Sequence, residues 1–558
     1  MPQTYQTPGV YVEEIPKLPP SVAEVSTAVP AFIGATRTGA ASAGPVLARI
    51  TTLLEFEERF GGPKPVSYLI KRDAAGAVAS VTRLGSGQND KLLPEYPLYY
   101  AVSHYFKNGG GPCYIVSVGD DSKQPDKAAI EAGLRLLKEE DEPTLIVLTD
   151  AINLKSADYY ELCAAALALC NTMQDRFTLL DVKQDAASSL DSTDPEKGKT
   201  DVEIFRNKIG TQYLSYGAAY YPYLRTTLTY AYEEAGVYLQ PPWAKDLDNG
   251  TVTVSFNAPA ASAPKVSVTI DASTTGITFV TSDTELKITF KEKATGKEVV
   301  EAWNTWLKQA TSNARGFEIS ALGDGSGQLK ALTASSLGPG ETLETLRTKD
   351  SALYNQIRAR LASERVVLPA SAAMAGIYAS MDRDRGVWRA PANVSVSAVI
   401  GPVLKITQEA QADLNVHAAS GKSINAIRSF AGRGTLVWGA RTLAGNDNEW
   451  RYVPVRRLFI MVEESAKKAT AFAVFEPNDM TTWLKVKGMI ESFLYGLWER
   501  GALAGSKPES AYFVNVGLGK TMTTDDILNG RMKVEIGLAA VRPAEFIILR
   551  FSHKLQEA

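Results

Sequence analysis

Cysteine is scarce in these 558 residues: only Cys113, Cys163 and Cys170 occur. An odd, sparse set supplies no disulfide framework and suits a reducing compartment. Cys163 and Cys170 stand seven apart in an Ala/Leu-rich run, at helical spacing, and read as small core residues rather than a redox pair. Histidine is as scarce. His104, His417 and His553 form no cluster with cysteine at zinc-ligand spacing, and none sits in a motif that completes a Ser-His-Asp triad. No run approaches the roughly 18 apolar residues of a transmembrane helix. Residues 1–12 lack a basic segment followed by an apolar one, so no secretory signal is expected. The formal net charge of -3 offers no basic excess for nucleic acid.

What remains is a chain of ordinary globular composition, long enough at roughly 150 residues per domain for three or four domains. Residues 1–30 do not open a globule, because Pro2, Pro8, Pro16, Pro19, Pro20 and Pro30 interrupt any helix. Between them Val10, Tyr11, Val12, Glu13, Glu14 and Ile15 read as one short strand. A lone strand cannot offset its ordering entropy, so it must pair with its own chain or another. Apolar runs at Cys113–Val118, Leu145–Leu148 and Phe177–Val182 alternate with helical periodicity over 127–140 and 156–175. That order predicts a parallel sheet with right-handed crossovers.

From 241 to 345 the texture changes. Residues 251–256, 265–270 and 286–290 alternate polar and apolar, with turn chemistry at Asn249-Gly250, Thr275-Gly276 and Thr295-Gly296. One amphipathic segment, 297–310, carries Val300, Trp303, Trp306 and Leu307. This reads as a small, mainly β module inserted at an exposed loop. A strand at Val366–Leu368 and a helix from Ala370 resume the α/β pattern. After about 420 the chain is α+β. Trp483, Val486, Ile490, Phe493, Leu494 and Leu497 form one helical stripe, with Asp479 as N-cap and Gly501 as stop. The apolar run Phe546, Ile547, Ile548, Leu549, Arg550 and Phe551 reads as a last strand.

Few patterns carry chemistry. Gly519-Lys520-Thr521 and Gly421-Lys422-Ser423 lack the upstream glycine of a phosphate loop, its place being taken by Val514 and Val416. Ser371-Ala-Ala-Met374 near a helix start is similar to a subtilisin serine region, without a matching histidine motif. Asp120, Asp121, Asp150 and Asp181 fall at the C-terminal ends of expected parallel strands, where open α/β sheets bind ligands and clustered carboxylates hold magnesium. The same positions favour Asp for helix and turn capping. Trp438, Trp450, Trp483 and Trp498 read as core rather than a stacking platform.

A series of short motifs identifies a resemblance. Thr7-Pro-Gly-Val-Tyr-Val-Glu-Glu14 is followed by Val29-Pro-Ala-Phe-Ile-Gly34, Tyr105-Phe-Lys-Asn-Gly-Gly110, Tyr216-Gly-Ala-Ala-Tyr-Tyr-Pro222 and Gly386-Val-Trp-Arg-Ala-Pro-Ala-Asn393. The densest part runs from Ile424 to Phe430 and from Gly432 to Leu443. Trp450 to Arg457, Phe475-Glu-Pro-Asn478 and Pro543-Ala-Glu-Phe546 continue it. In this order they resemble the contractile tail-sheath family of myophages, R-type bacteriocins and extracellular contractile injection systems. The resemblance spans nearly the whole chain outside 241–345.

It implies a multidomain α/β and α+β fold: an N-terminal extended arm (1–30), a subtilisin-like α/β domain without the triad (31–240 and 346–420), a C-terminal α+β sheath domain (421–540) and a C-terminal exchange strand and tail (541–558). The inserted mainly β domain (241–345) has no family-wide match and is expected to decorate the outside. The resemblance implies a structural subunit and not an enzyme, with no cofactor and no metal. It polymerises helically with itself around an inner tube protein, meets baseplate and terminator or cap proteins, and contracts to drive the tube through a target envelope. Neither nucleic acid nor direct membrane insertion is implied. Synthesis in the bacterial cytoplasm and assembly into a phage tail or injection particle are.

In such proteins the terminal arms complete the sheets of neighbouring subunits, which places residues 10–15 and 546–551 as intersubunit exchange strands. A weak, polar contact suits a tube that must be held and then released. The last long helix and nearby loops offer Lys485, Lys487, Glu491, Glu499, Arg500 and Lys507. Lys485, Lys487 and Glu491 lie opposite the apolar stripe and are the candidate tube contact. Two other readings stay open: a hydrolase or phosphotransferase using Asp120, Asp150 and Asp181, and a monomeric surface-binding protein using the β insertion.

Overall fold

Apolar, β-branched runs separated by amphipathic segments build a central, mostly parallel sheet in the computed structural model. It describes residues 22–38, 44–72, 77–84, 92–184, 194–247, 251–257, 263–309 and 313–548. From edge to edge the sheet runs Val394–Ser395, Gly434–Val437, Asn425–Phe430, Gly217–Tyr221, Phe177–Asp181, Leu145–Leu148, Pro30–Thr36, Cys113–Asp120 and Val46–Ile50. The strands from Asn425–Phe430 to Cys113–Asp120 are parallel, each to the next. The strand–helix alternation read over 113–182 holds, with helices at Lys127–Leu136 and Ser156–Met173. Cys113, Cys163 and Cys170 are buried and free, as small core residues.

One strand departs from that reading. Pro30–Thr36 inserts between Cys113–Asp120 and Leu145–Leu148, with Phe32 opposite both Ile115 and Val147. All of its residues are buried. A strand covered on both faces is apolar throughout, so its sequence shows no alternation. The helix Ser371–Arg385 packs closely on Leu98–Lys107. A Cβ at Gly376 would lie 2.5 Å from the Tyr105 carbonyl oxygen, so glycine is what lets these backbones approach. The strand expected at 366–368 forms at Arg365–Leu368, but in a separate three-stranded sheet with Leu224–Thr229 and Val399–Pro402.

Residues 247–337 enclose a hydrophobic cluster of their own, centred on Val254, Leu286, Ile288, Val299 and Trp303. The strands expected there form at Val252–Phe256, Lys265–Ile270 and Glu285–Phe290, and the helix at Gly296–Leu307. Pairing does not follow chain order. Lys265–Ile270 and Glu285–Phe290 are parallel neighbours, with Thr278–Thr281 antiparallel outside them. Thr295 makes no turn. It caps the helix in a reciprocal capping box with Glu298. Asn249-Gly250 lies outside the described residues.

The strand Val237–Leu247 runs across position 241. Val237 to Leu239 pair in parallel with Tyr68 to Ile70, and Trp243 to Leu247 pair with Val252–Phe256. Gly338–Thr342 returns antiparallel alongside, placing Tyr238 opposite Thr342 and Ala244 opposite Gly338.

Towards the C-terminus, the helices Val453–Ala469 and Met480–Glu499 pack with the hairpin Tyr512–Val516 and Val534–Leu538 around Leu458, Met461, Ile490, Leu494, Leu497 and Val514. The stripe lies as read, with Val486, Ile490, Phe493, Leu494 and Leu497 buried and Trp483 half-buried. Asp479 caps the helix through the Thr482 N–H, and Gly501 at φ 77° ends it.

Ala244 and Gly338 are cross-strand partners, so an Asn-Gly turn replacing residues 245–337 fits the ladder. This variant should keep a cooperative unfolding transition and the helical circular dichroism of the remaining chain. A variant without a cooperative transition would show that the removed segment belongs to the main core.

Candidate assembly surfaces

The four aspartates at the sheet's C-terminal edge do not converge on one opening. Asp120 and Asp121 lie at the surface, and Asp120 accepts from the Ser122 N–H and hydroxyl. Asp150 is buried beside Gly34 and accepts from the Ala35 N–H at 2.7 Å. A Cβ at Gly34 would sit 2.6 Å from its Oδ1. Burial without a counter-ion pushes the Asp150 carboxyl up to about 7. Asp181 is also buried and accepts from the Ser371 N–H at 3.0 Å, at the start of the helix Ser371–Arg385. Burial raises it to about 6, against hydrogen bonds that favour its charge. The two buried groups thus tie loops and a helix end to the sheet. No group of three or more His, Cys, Asp or Glu side chains is placed to hold a metal among the described residues.

Among the described residues, no histidine meets Ser371. His104 is buried, donates from Nε2 to the Ser397 carbonyl at 3.1 Å, and is lowered to about 4 by desolvation. His417 bonds Ser420 through Nδ1 at 2.7 Å. Lys422, of the glycine-lysine pair, is buried with its ammonium on the Arg206 carbonyl. The tryptophans Trp438, Trp450, Trp483 and Trp498 are each half-buried in separate contacts. Trp438 meets Phe430, Trp450 meets Phe459, Trp483 donates to Asn478 and Trp498 donates to the Gly505 carbonyl.

Of the candidate exchange segments, Val10, Tyr11, Val12, Glu13, Glu14 and Ile15, together with Leu549, Arg550 and Phe551, lie outside the described residues. Phe546, Ile547 and Ile548 are described. They form no strand within the single chain, and their exposures are 72%, 80% and 77%. Three consecutive apolar side chains in water are an unmet hydrophobic demand. Just before them Glu545 is held by the Arg441 guanidinium, an ion pair with both side chains largely buried. The tail is therefore fixed at its root.

The hairpin Tyr512–Val516 with Val534–Leu538 is a two-stranded sheet, and no third strand joins it among the described residues. Its outer edges leave main-chain donors and acceptors for another strand.

Lys485 is exposed, and Lys487 pairs with Glu491 one turn on at 3.6 Å. All three lie off the buried stripe. One neighbouring feature escaped the sequence reading. Phe475 is fully exposed at φ 69°, beside exposed Val474, Met480 and Leu484. Asn478 fixes this loop, accepting from Trp483 Nε1 at 2.7 Å and donating to the Arg531 carbonyl at 3.1 Å. The motif Phe475-Glu-Pro-Asn478 marked the loop, but only the fold shows which members turn outward.

Comparison with known proteins finds sheath proteins. A family model, the phage tail sheath C-terminal domain, matches residues 445–554. The tail sheath protein of Vibrio phage KVP40 is 25% identical over 136 residues, covering 24% of this chain and 20% of that protein. The chain thus spans about a fifth of that curated relative's length. Solved structures match over nearly the full length. The sheath complex of PVC, an extracellular contractile injection system, in its contracted state is 26% identical, with a TM-score of 0.54 and 99% of each chain covered. The contracted helical sheath of the anti-feeding prophage is 27% identical, with a TM-score of 0.53, covering 99% of this chain and 100% of that one. The resemblance read from the motifs therefore holds. This is a mixed α/β, multidomain chain that resembles contractile sheath proteins in sequence and in fold.

Because Asp150 is pushed above its unfolded value of about 3.9, the folded state binds more protons between that value and about 7. Stability falls across this window as pH rises. Asp150→Asn should remove that slope, so the variant gains on the parent between pH 5 and pH 8 in denaturant melts. A variant that loses ground as pH rises would mean that the ionised carboxylate is the form the fold needs.

Proposed function

We propose that this chain is the structural subunit of a contractile sheath, assembling helically around an inner tube and shortening to drive that tube through a target envelope. The observation that carries the reading is the nearly full-length likeness to two contracted sheaths. A dispersed set of carboxylates, Asp120 at the surface and Asp150 and Asp181 buried on backbone N–H groups, gives no comparable support to a hydrolase or phosphotransferase.

In this reading the partners are further copies of the chain, the tube protein, and baseplate and cap proteins at the ends. Residues 31–240 with 346–420, joined in the central sheet by Asn425–Phe430 and Gly434–Val437, make a subtilisin-like α/β domain without a triad, the module within 241–345 an outward-facing insertion, and the remainder of 421–540 the domain next to the tube. Segments 10–15 and 546–551 add to the open edges of the hairpin Tyr512–Val516 and Val534–Leu538 in neighbouring subunits. An added strand makes main-chain bonds and inserts alternate side chains. At about 0.5–1.5 kcal/mol net per bond, one arm is modest alone. Repeated along a heterologous contact that does not close, the arms make a mesh. Subunits then rotate against each other while the links persist, and the contracted lattice buries the larger area.

Deleting residues 1–15 should leave a folded, soluble subunit that forms no tubes in negative-stain electron microscopy. Ile548→Asp should act alike, because it puts a charge inside a donated strand. Normal tubes from both variants would sink the exchange of strands.

Lys485→Glu with Lys487→Glu should weaken sheath–tube association and make it more salt-sensitive. The isolated subunit's melting temperature should change little, since Lys487 loses only an exposed helical ion pair with Glu491. Unchanged association across a salt titration would place the tube contact elsewhere.

A further inference from the structure

Residues 22–29, the part of the expected N-terminal arm (1–30) that precedes the first strand of the central sheet, touch two cores. Val22 and Val25 pack on the C-terminal cluster that includes Trp388, Leu458 and Leu494. Ala28 and Val29 pack with the central sheet. The polar contacts also divide. The Val25 N–H donates to Ser465 Oγ at 3.2 Å, and Glu24 pairs with Arg500. Thr27 donates from Oγ1 to Asp382 Oδ2 at 2.5 Å, while its carbonyl accepts from Arg457 Nη2 at 2.8 Å.

Asp382 and Arg457 are themselves a forked ion pair, with Nη1 to Oδ1 at 3.0 Å and Nη2 to Oδ2 at 2.5 Å. Their side chains are 8% and 4% exposed. The pair joins the helix Ser371–Arg385, whose buried face lines the central sheet's core, to Val453–Ala469, which contributes to both clusters. A buried ion pair is favourable only when its remaining donors and acceptors are also met. Thr27 meets one on each partner. Open space lies beside segment 22–29: cavities of about 350 and 540 Å³ run along it, both lined by Glu24, Val25, Ser26 and Thr27.

We propose that residues 22–29 are a strap that locks the joint between the central-sheet body and the C-terminal body. Seated, the strap completes the Asp382–Arg457 pair and bridges both cores. Drawn off by tension on the arm, it leaves that pair short of partners, so the root of the arm and the joint loosen together. This goes beyond the sheath reading, and it is tested on the unassembled full-length chain, where failure to form tubes has no bearing.

The measurement is hydrogen exchange with mass spectrometry on Thr27→Val, which removes the hydroxyl and leaves the ion pair in place. Amides of residues 24–29 and of 458–466 should both exchange about tenfold faster, the scale of one lost buried hydrogen bond. Peptides covering Val252–Phe256 should not change. Ser465→Ala, which removes only the bond to Val25, should show the same joint acceleration and keeps the test open should the first variant fold poorly. Acceleration confined to 24–29, or none in either segment, overturns the proposal.

Discussion

Pro30–Thr36 is hydrogen-bonded on both sides inside the central sheet, and much else follows from that placement. A strand paired on each side and covered on each face has no freedom to shift register without exposing its apolar side chains. The chain before it must therefore leave the core at a fixed point. It does so across the joint, past Asp382, Arg457 and Ser465, where main-chain and side-chain groups of residues 24–27 find partners. Residues 24–27 are thereby anchored to the helices that carry Asp382, Arg457 and Ser465. The C-terminal tail has an analogous root, where the Arg441 guanidinium holds Glu545 just before three exposed apolar residues.

Charge inside this protein is used to join elements. Arg176 is wholly buried, paired with Asp175 and donating to the carbonyls of Leu137 and Glu140. Arg456 stacks between Tyr216 and Trp450. Asp181 holds the start of a helix, and Asp150 holds the C-terminal end of the strand Pro30–Thr36. Each would look like chemistry in a list of titratable residues. Their partners are backbone groups, aromatic side chains and one another, and that is what separates a structural polar network from a site open to substrate.

The surface has the opposite character. Exposed apolar side chains gather at the tail, at the loop carrying Phe475, and on the short hairpin at Phe513. A single chain gains nothing by exposing them, and among the described residues no third strand joins the hairpin. A chain that assembles has a use for both. In the proposed sheath, an unpaired apolar segment and an unpaired edge would be complementary in kind, and repetition along a lattice would let modest contacts hold a large particle.

Local pattern alone determined the alternating strands and helices over 113–182, the strands and helix of the insertion, the stripe, cap and stop of the helix Met480–Glu499, and the buried cysteines, because each depends on periodicity or on neighbours within a few residues. The ordered motifs also carried the likeness to sheath proteins. Long-range pairing was out of reach: Pro30–Thr36 between Cys113–Asp120 and Leu145–Leu148, Val237–Leu247 crossing position 241 to join Tyr68–Ile70, and the parallel pair inside the insertion. Strands present the same alternation or the same apolar run to any partner, so the partner is chosen by packing of the whole. The contact of Thr27 with Asp382 and Arg457 spans hundreds of residues and leaves no local mark. Only the tertiary structure could decide it, because a buried ion pair and its last hydrogen bonds exist only once the helices that carry them have met.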